Sequence, residues 1–173
     1  MIGAPFEWLT QPMASEHTNH SRTLDGFDLA ILRMVQKNNK TPQRLIAEAV
    51  NLSPAAVQRR INAMEVSGVI TRNVALVKPE DLSLHITALV EINLRDERTA
   101  TVDAAKALFR KTPEVQQCYY VTGGISFVLV IIAPDMRAYE ALTRSLFAEN
   151  DLVDRYRTLV ALDRVKYETA LSF

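Results

Sequence analysis

The spacing of apolar residues changes near residue 85, and this change predicts two domains of different kinds. Before it, apolar side chains recur every three or four positions in three short segments, which is typical of amphipathic helices. After it, apolar side chains alternate as they do in a half-buried strand, at Ile86, Ala88, Val90, Ile92 and Leu94. We therefore expect a group of N-terminal helices joined to a domain that contains a sheet.

Each of the three N-terminal helices carries its own start signal. Asp25 can cap the first helix, and Thr41 and Ser53 each stand before a proline, an order that favours the start of a helix. Gly68 ends the third helix, and “VITRNVALV” beyond it is expected to be extended, with a hairpin as an alternative. The residues expected to face inward are Phe27, Ile31, Met34, Val35, Leu45, Ile46, Ala49, Val57, Ile61 and Met64.

Strands and helices alternate in the second half in the order βαββαβ. Residues 99–111 have a helical period, “VQQCYYVT” and “FVLVIIA” are predicted antiparallel strands, and residues 135–149 are predicted to form a second helix. “YRTLVAL” is a further strand, and “VKYETAL” is a candidate for another. The order indicates a split βαβ arrangement with an antiparallel sheet. The second helix is expected to turn inward Met136, Tyr139, Leu142 and Leu146.

The formal net charge of zero conceals a difference between the two halves. Residues 22–78 contain nine Lys and Arg against four Asp and Glu, a balance of +5. Residues 79–173 contain eleven against fourteen, a balance of −3, and Glu7 and Glu16 contribute −2 near the start. A basic segment joined to an acidic one indicates that only the first half meets a polyanion, although many solvated helical faces carry a similar charge.

The composition excludes several classes of protein. No apolar run approaches the ~20 residues needed to span a bilayer, and the first ten residues lack the features of a secretory signal. Cys118 is the single cysteine, which fits a reducing compartment. His17, His20 and His85 do not have metal-ligand spacing, and there is no P-loop or nucleophile elbow. We therefore expect a cytoplasmic protein with no catalytic residues, no metal site and no cofactor.

Two short helices joined by a brief turn, the second bearing exposed polar groups, form a helix-turn-helix pattern that binds double-stranded DNA. On the third helix, the face opposite the apolar stripe offers Ala55, Gln58, Arg59 and Asn62. Gln and Asn can pair with adenine and Arg with guanine. Arg60 stands nearer a flank, where it can contact a phosphate or brace the fold. An ordinary solvated helix face is the alternative interpretation of the whole set.

The starts of the second and third helices supply the remaining candidate DNA contacts, which are Thr41, Ser53 and Pro54. A hydroxyl and the amides at a helix start can hold a phosphate.

Gly123 and Gly124 separate two predicted strands and admit two interpretations. The simpler one is a plain tight turn. The other is a loop whose exposed amides bind a small anion such as a carboxylate. Tyr119 and Tyr120, on the preceding strand, are expected to be sheet residues, with contact to a ligand as the less favoured alternative.

Three motifs, “LDGFDLAIL”, “LSPAAVQRRINAMEVSGVI” and “VTGGISFVLV”, resemble in this order the Lrp/AsnC family of bacterial and archaeal feast/famine transcription regulators. The ending “VKYETAL” is similar to that of the leucine-responsive members, so the resemblance extends from residue 24 to residue 173. It implies an α+β protein with a three-helix winged helix-turn-helix domain that binds DNA and a ferredoxin-like βαββαβ domain that binds a ligand and dimerises.

The resemblance also implies partners and an effector site. Family members dimerise through their sheets, often assemble to octamers, and bind an amino acid between subunits. Carried over by position, the recognition helix is residues 53–67. The effector-binding residues are Tyr120, Thr122, Gly123, Gly124 and Ser126. The family's loop often has an acidic residue after Gly and an Asp at the position of Ser126, where this chain offers only a hydroxyl.

The predicted parts of the chain are a flexible arm at 1–22, a helix-turn-helix domain at 23–73, a linker at 74–84, and an effector-binding and oligomerisation domain at 85–173. Two other functions stay open. One is a ligand-sensing or assembly protein whose helix-turn-helix does not read DNA. The other is an enzyme that resembles the sirohaem decarboxylases, whose pocket needs His and Arg where “VQQCYYVTGG” has neither.

Overall fold

The structure is a computed structural model that describes residues 23–173, so the predicted arm at 1–22 lies outside the described residues. The described chain forms two compact units. The N-terminal unit contains residues 23–74 together with Thr169–Phe173, and the second unit is Ala75–Glu168. Within residues 23–173, every helix is too short or too polar to cross a membrane.

The N-terminal unit contains three helices: α1 at Gly26–Lys37, α2 at Gln43–Val50 and α3 at Pro54–Val66. The predicted caps of α1 and α3 are confirmed. The carboxylate of Asp25 accepts from the amide of Asp28 at 2.9 Å, and the Asp28 carboxylate accepts in return from the Asp25 amide, which completes a capping box. Ser53 accepts from the amide of Ala56 at 3.2 Å, and Gly68 follows α3 with φ of 76°.

Thr41 does not cap α2, contrary to the sequence-based expectation. The residue at the cap position is Pro42, which has no side-chain acceptor. The Thr41 hydroxyl and amide both donate to the carbonyl oxygen of Asn38, at 2.7 Å and 3.1 Å. Thr41 therefore closes the turn that joins α1 to α2. Because α2 begins at Gln43, one residue later than predicted, Thr41 lies before the cap position.

The buried faces of α1 and α2 differ from the predicted stripes. Phe27 and Leu45 are 44% and 45% exposed, and Ala49 is also exposed. In α1 the interior position belongs to Asp28, which is buried in an ion pair with Arg60 of α3, and the Phe27 ring lies under the same guanidinium at the surface. The residues that form the core of this unit are Ile31, Leu32, Ile46, Ala47, Val50, Val57 and Met64. Residues 69–77 contain no strand, so the hairpin alternative for this segment is not realised.

The second unit has the predicted order βαββαβ. Its elements are β1 at Ile86–Leu94, α4 at Thr99–Lys111, β2 at Val115–Tyr120, β3 at Phe127–Ala133, α5 at Met136–Thr143 and β4 at Val153–Val160. The chain continues α5 as a π-helical turn at Arg144–Ala148. The sheet order is β2-β3-β1-β4 with antiparallel neighbours, which is the topology of a ferredoxin-like domain.

One face of this sheet forms the core beneath the two helices. Of the even-numbered residues of β1, Ala88, Val90, Ile92 and Leu94 are buried as predicted, and Ile86 at the start of the strand is partly buried. They lie beside the inward residues of β3. Phe109 of α4 meets Phe127 edge-on at 5.3 Å and Phe147 at 6.3 Å between ring centroids. Met136 is 51% exposed rather than inward, because it is the first residue of α5, directly after the Asp135 cap.

Within residues 75–168 no helix packs on the opposite face of the sheet, which combines apolar and charged side chains. Register places Leu89 of β1 beside Val130 of β3 and Leu159 of β4. Next to them Arg157 donates to both carboxylate oxygens of Glu91, at 2.8 Å and 2.9 Å. We call this surface the open sheet face.

The segment “VKYETAL” forms no strand, and its end belongs to the N-terminal unit. The Leu171 amide donates to Gln36 Oε1 at 2.7 Å, and Gln36 Nε2 donates back to the Leu171 carbonyl at 3.3 Å. Arg33 Nε donates to the Phe173 carbonyl at 2.9 Å, and the guanidinium carbon lies 5.2 Å from the centre of the Phe173 ring. Residues 169–173 therefore dock on α1.

Deletion of residues 169–173 is expected to destabilise α1 by about 1 kcal/mol. The deletion removes exposed hydrogen bonds and a cation–π contact, each of which contributes about 0.5–1 kcal/mol. Hydrogen exchange should quicken in α1 while the sheet of the second unit is unaffected. Gln36→Ala in the full chain should give a smaller change at the same peptides. Equal exchange in α1 with and without the tail would contradict this assignment.

Candidate DNA-binding and effector sites

The exposed face of α3 carries the small and polar residues expected of a reading helix. Ala55, Arg59 and Asn62 are exposed and follow one another at spacings of four and three, which places them on one face. Val57 and Met64, on the other side, are fully buried. Because the buried pair fixes the rotation of the helix, the orientation of the exposed set is fixed as well.

Two amide side chains on this face contact each other. Gln58 Nε2 donates to Asn62 Oδ1 at 2.5 Å, across one turn of the helix. The contact leaves the carbonyl of Gln58 and the amide nitrogen of Asn62 available. Those two groups are an acceptor and a donor, the combination that pairs with the edge of adenine in the major groove.

The two adjacent arginines of α3 have different environments. Arg59 is exposed and makes no ion pair with any residue from 23 to 173. Arg60 Nη1 lies 2.8 Å from Asp25 Oδ2 and 2.8 Å from Asp28 Oδ1, and only 2% of the Asp28 side chain is exposed. Of the two roles left open for Arg60, this geometry matches the bracing of the fold rather than a phosphate contact.

The same contacts shift the ionisation of the groups involved. The hydrogen bond from the Asp28 amide, together with Arg60, lowers the pKa of Asp25. The hydrogen bonds to Asp28 and Asp25 raise the pKa of Arg60. The guanidinium also lies over the Phe27 ring, 5.4 Å from its centroid. We call Arg60, Asp25 and Asp28 the α3 brace.

The three predicted DNA contacts at the helix starts differ in their exposure and in their hydrogen bonds. Ser53 and Pro54 are exposed at the first turn of α3, and the Ser53 hydroxyl accepts from Ala56 while its own proton stays available for a phosphate. Thr41 is partly buried in the turn before α2, and its hydroxyl is already donated to Asn38.

The loop between β2 and β3, which we call the glycine loop, spans residues 121–126 and is longer than a two-residue hairpin turn. Thr122, Gly123 and Gly124 are exposed in it, and the two glycines have φ of 109° and 89°. A Cβ at either glycine would meet no atom within 4 Å, so the backbone conformation, not crowding, favours glycine here. No group in residues 23–173 accepts from these two glycine amides.

Ser126 is only 3% exposed, and its hydroxyl already has partners. Its amide donates to the Ile92 carbonyl at 2.8 Å, and its Oγ accepts from the Leu94 amide at 3.0 Å. The same hydroxyl donates to the carboxylate of Glu97. Ser126 therefore ties the loop to β1 and to the turn after it, and its contact with an effector stays a prediction.

Glu97, which the sequence analysis did not single out, contacts two of the predicted effector residues, Tyr120 and Ser126. Its second carboxylate oxygen accepts from the Tyr120 hydroxyl at 3.0 Å, and this bond raises the pKa of Tyr120. The Tyr120 side chain is 53% exposed, and Lys106 Nζ lies 5.0 Å from its ring centroid. Glu97 stands in the loop between β1 and α4, where no local motif marks it. Only the pairing of β1 with β3 brings it to the glycine loop.

Two family models match the chain. A model described as winged helix-turn-helix DNA-binding matches residues 24–71, and the Lrp/AsnC ligand binding domain matches residues 87–171. An HTH-type transcriptional regulator of Sinorhizobium fredii, y4tD, is 40% identical over 148 residues, which cover 86% of this chain and 88% of that protein. The chain belongs to the Lrp/AsnC family of transcription regulators.

Solved structures of the Lrp/AsnC family have the same fold. An AsnC family transcriptional regulator of Agrobacterium tumefaciens gives a TM-score of 0.80 at 29% identity, over 86% of this chain and 97% of the other. A Neisseria meningitidis transcriptional regulator, solved in complex with L-Met, gives 0.80 at 28% identity, over 87% and 97%. Among the relatives compared by sequence, the leucine-responsive regulatory protein of Salmonella typhimurium is 28% identical over 92% of this chain and 97% of that protein.

The fold and the family of this Lrp/AsnC protein therefore agree with the sequence analysis. The relatives named above are transcriptional regulators. Within residues 23–173 there is no group of three or more His, Cys, Asp or Glu placed to hold a metal ion. The individual DNA-binding and effector residues remain predictions, and the structure adds where each one lies.

Proposed function

We propose that this Lrp/AsnC protein reads DNA with the exposed face of α3 and responds to an amino acid. The observation that carries the first part is the contrast between Arg59 and Arg60. Arg60 is held by two carboxylates, whereas Arg59 projects from the face that also presents Asn62 and Ala55. A long exposed guanidinium beside small residues suits a bidentate contact with guanine in the major groove.

A dimer is proposed to form through the open sheet face. Leu89 and Leu159 are exposed there, and Val128 and Val130 are only partly covered. A second copy of the same face would bury these apolar side chains by a two-fold arrangement. Two copies of α3 would then meet successive major grooves about 34 Å apart on a near-palindromic site. Further assembly to an octamer is proposed from the family alone.

The effector is proposed to be an amino acid bound at the glycine loop, between subunits. Support comes from the exposed amides of Gly123 and Gly124, which donate to no acceptor in residues 23–173 and suit a carboxylate. The solved Neisseria relative was captured with L-Met. An effector that binds one assembly or domain arrangement better than another would shift the population toward it.

Arg59→Ala is expected to weaken DNA binding by about 10- to 100-fold, since one good bidentate contact is worth about 1–3 kcal/mol. A gel shift on the DNA upstream of the protein's own gene measures this. Affinity should also fall as salt rises, because phosphate contacts release counterions.

Arg137→Ala is the matched control, because Arg137 is an exposed arginine of the second unit, and this change should leave DNA affinity unaltered. Undiminished binding by Arg59→Ala would show that α3 does not read DNA, as the alternative of an assembly protein requires.

A further inference from the structure

The glycine loop contains no acidic side chain, yet a carboxylate lies against it. Residues 121–126 are “VTGGIS”, without Asp or Glu. Glu97 comes from the loop after β1 and contacts Ser126 and Tyr120, one at each carboxylate oxygen. The strand pairing thus supplies from a separate loop the negative charge that the glycine loop itself lacks.

Ser126 and Tyr120, which hold Glu97 in position, are themselves held by contacts with their neighbours. The Ser126 hydroxyl is buried and accepts from the Leu94 amide, so its proton is directed at the carboxylate. The Tyr120 ring contacts Phe127 in the core, with 5.1 Å between centroids, so its hydroxyl is held as well. Glu97 remains exposed, and each of its carboxylate oxygens keeps acceptor capacity on the solvent side.

The charges around Tyr120 match the two poles of a free amino acid. A carboxylate stands at the hydroxyl end of the ring, and the Lys106 ammonium lies 5.0 Å from the ring centroid. Lys106 has one weak partner, Asp103, at 3.7 Å. A zwitterion can place its ammonium at Glu97 and its carboxylate toward the positive pole and the glycine amides.

We propose that Glu97 is the residue that binds the α-ammonium group of the amino-acid effector, held in place by Ser126 and Tyr120. This inference rests on the proposed response to an amino acid and deepens it. It specifies the ligand class as α-amino acids with an unblocked amino group. It also places the residue that recognises the amino group in the loop between β1 and α4, outside the motif that marks the family's effector loop.

The test compares wild type with Glu97→Gln, which keeps the size of the side chain but removes its charge and leaves one acceptor oxygen in place of two. Titration calorimetry with the twenty free amino acids identifies the tightest ligand, and its N-acetyl derivative and its amide are then measured. Wild type should bind the free amino acid at least tenfold more tightly than the N-acetyl derivative. Glu97→Gln should lose at least tenfold in affinity for the free amino acid and should no longer discriminate against the N-acetyl form.

Discrimination against the amide should persist in Glu97→Gln, because the carboxylate end of the ligand is recognised elsewhere. Glu114→Gln is the matched control, an exposed glutamate before β2, and it should bind like wild type. Unchanged thermal midpoints and gel shifts show that the variants are folded.

Binding by Glu97→Gln within twofold of wild type, with the preference for a free amino group retained, would overturn the proposal. So would the absence of any amino-acid binding by wild type, even when its gel shift is normal, a result that leaves the proposed DNA reading intact. A wild type that binds amino acids but shifts no DNA would refute the reading of DNA and leave the role of Glu97 to be decided by the calorimetry.

Discussion

Arg60→Ala is expected to destabilise the N-terminal unit by about 3 kcal/mol, because it leaves the buried Asp28 carboxylate without its guanidinium. Two contacts of 2.8 Å are lost, to Asp25 and to Asp28. The loss should appear as faster hydrogen exchange throughout α1 and α3 and as a lower first transition in a thermal scan of the full chain. A local probe is needed because two units need not unfold together.

Arg59→Ala is the matched control, because Arg59 is also an arginine of α3 and lies next to Arg60. Arg59 is exposed and unpaired with any described residue, so stability should change by no more than about 0.5 kcal/mol. The two adjacent substitutions should therefore have separate effects, one on stability and the other on DNA affinity. Equal stability losses at both positions would show that the α3 brace contributes nothing specific.

The double variant Arg60→Ala with Asp28→Ala tests whether the ion pair itself is responsible. Removing Asp28 together with Arg60 also removes the buried negative charge that Arg60→Ala leaves without its guanidinium, so the double variant should be more stable than the sum of the two single losses predicts. A coupling of at least about 1 kcal/mol is expected. Strict additivity would indicate that Arg60 acts through contacts other than its pairing with Asp28, such as the contact of its guanidinium with the Phe27 ring.

Local signals in the sequence were sufficient for most of the fold. Asp25 and Ser53 cap helices through their own side chains, and a left-handed glycine ends α3, so each boundary is set by residues within a few positions. The alternation in β1 is likewise a local pattern, because burial on one face of a sheet requires it. These features need no knowledge of what the chain contacts elsewhere.

The features that the sequence did not reveal depend on residues far apart in the chain. Asp28 is a polar residue in the core because Arg60, 32 positions away, neutralises it, and a hydrophobic stripe cannot show this. Thr41 is a local exception, since its hydroxyl donates to Asn38, three positions away, and Pro42 occupies the cap position of α2. Glu97 reaches Ser126 only through the register of β1 with β3. The positions of Asp28 and Glu97 therefore follow from tertiary contacts, which a local sequence pattern does not encode.

Ser126→Asp is expected to destabilise the second unit by about 2 kcal/mol, although an Asp is common at this position in the family. The site is buried, and Glu97 already occupies the space that faces it. A second carboxylate there would oppose the first, so one of them must take up a proton or move away. Thermal unfolding at pH 7 measures the loss, and Ser126→Ala, which removes the hydroxyl without adding charge, is the matched control.

Combining Ser126→Asp with Glu97→Gln should recover at least half of that stability, because a glutamine amide can donate to the introduced carboxylate. The same double variant should regain amino-acid affinity to within about threefold of wild type, since the negative charge returns to the loop from the other side. Recovery of stability without recovery of binding would mean that the ammonium group requires Glu97 in its own position. Recovery of neither would show that the contact between Ser126 and Glu97 does not control the charge at this site.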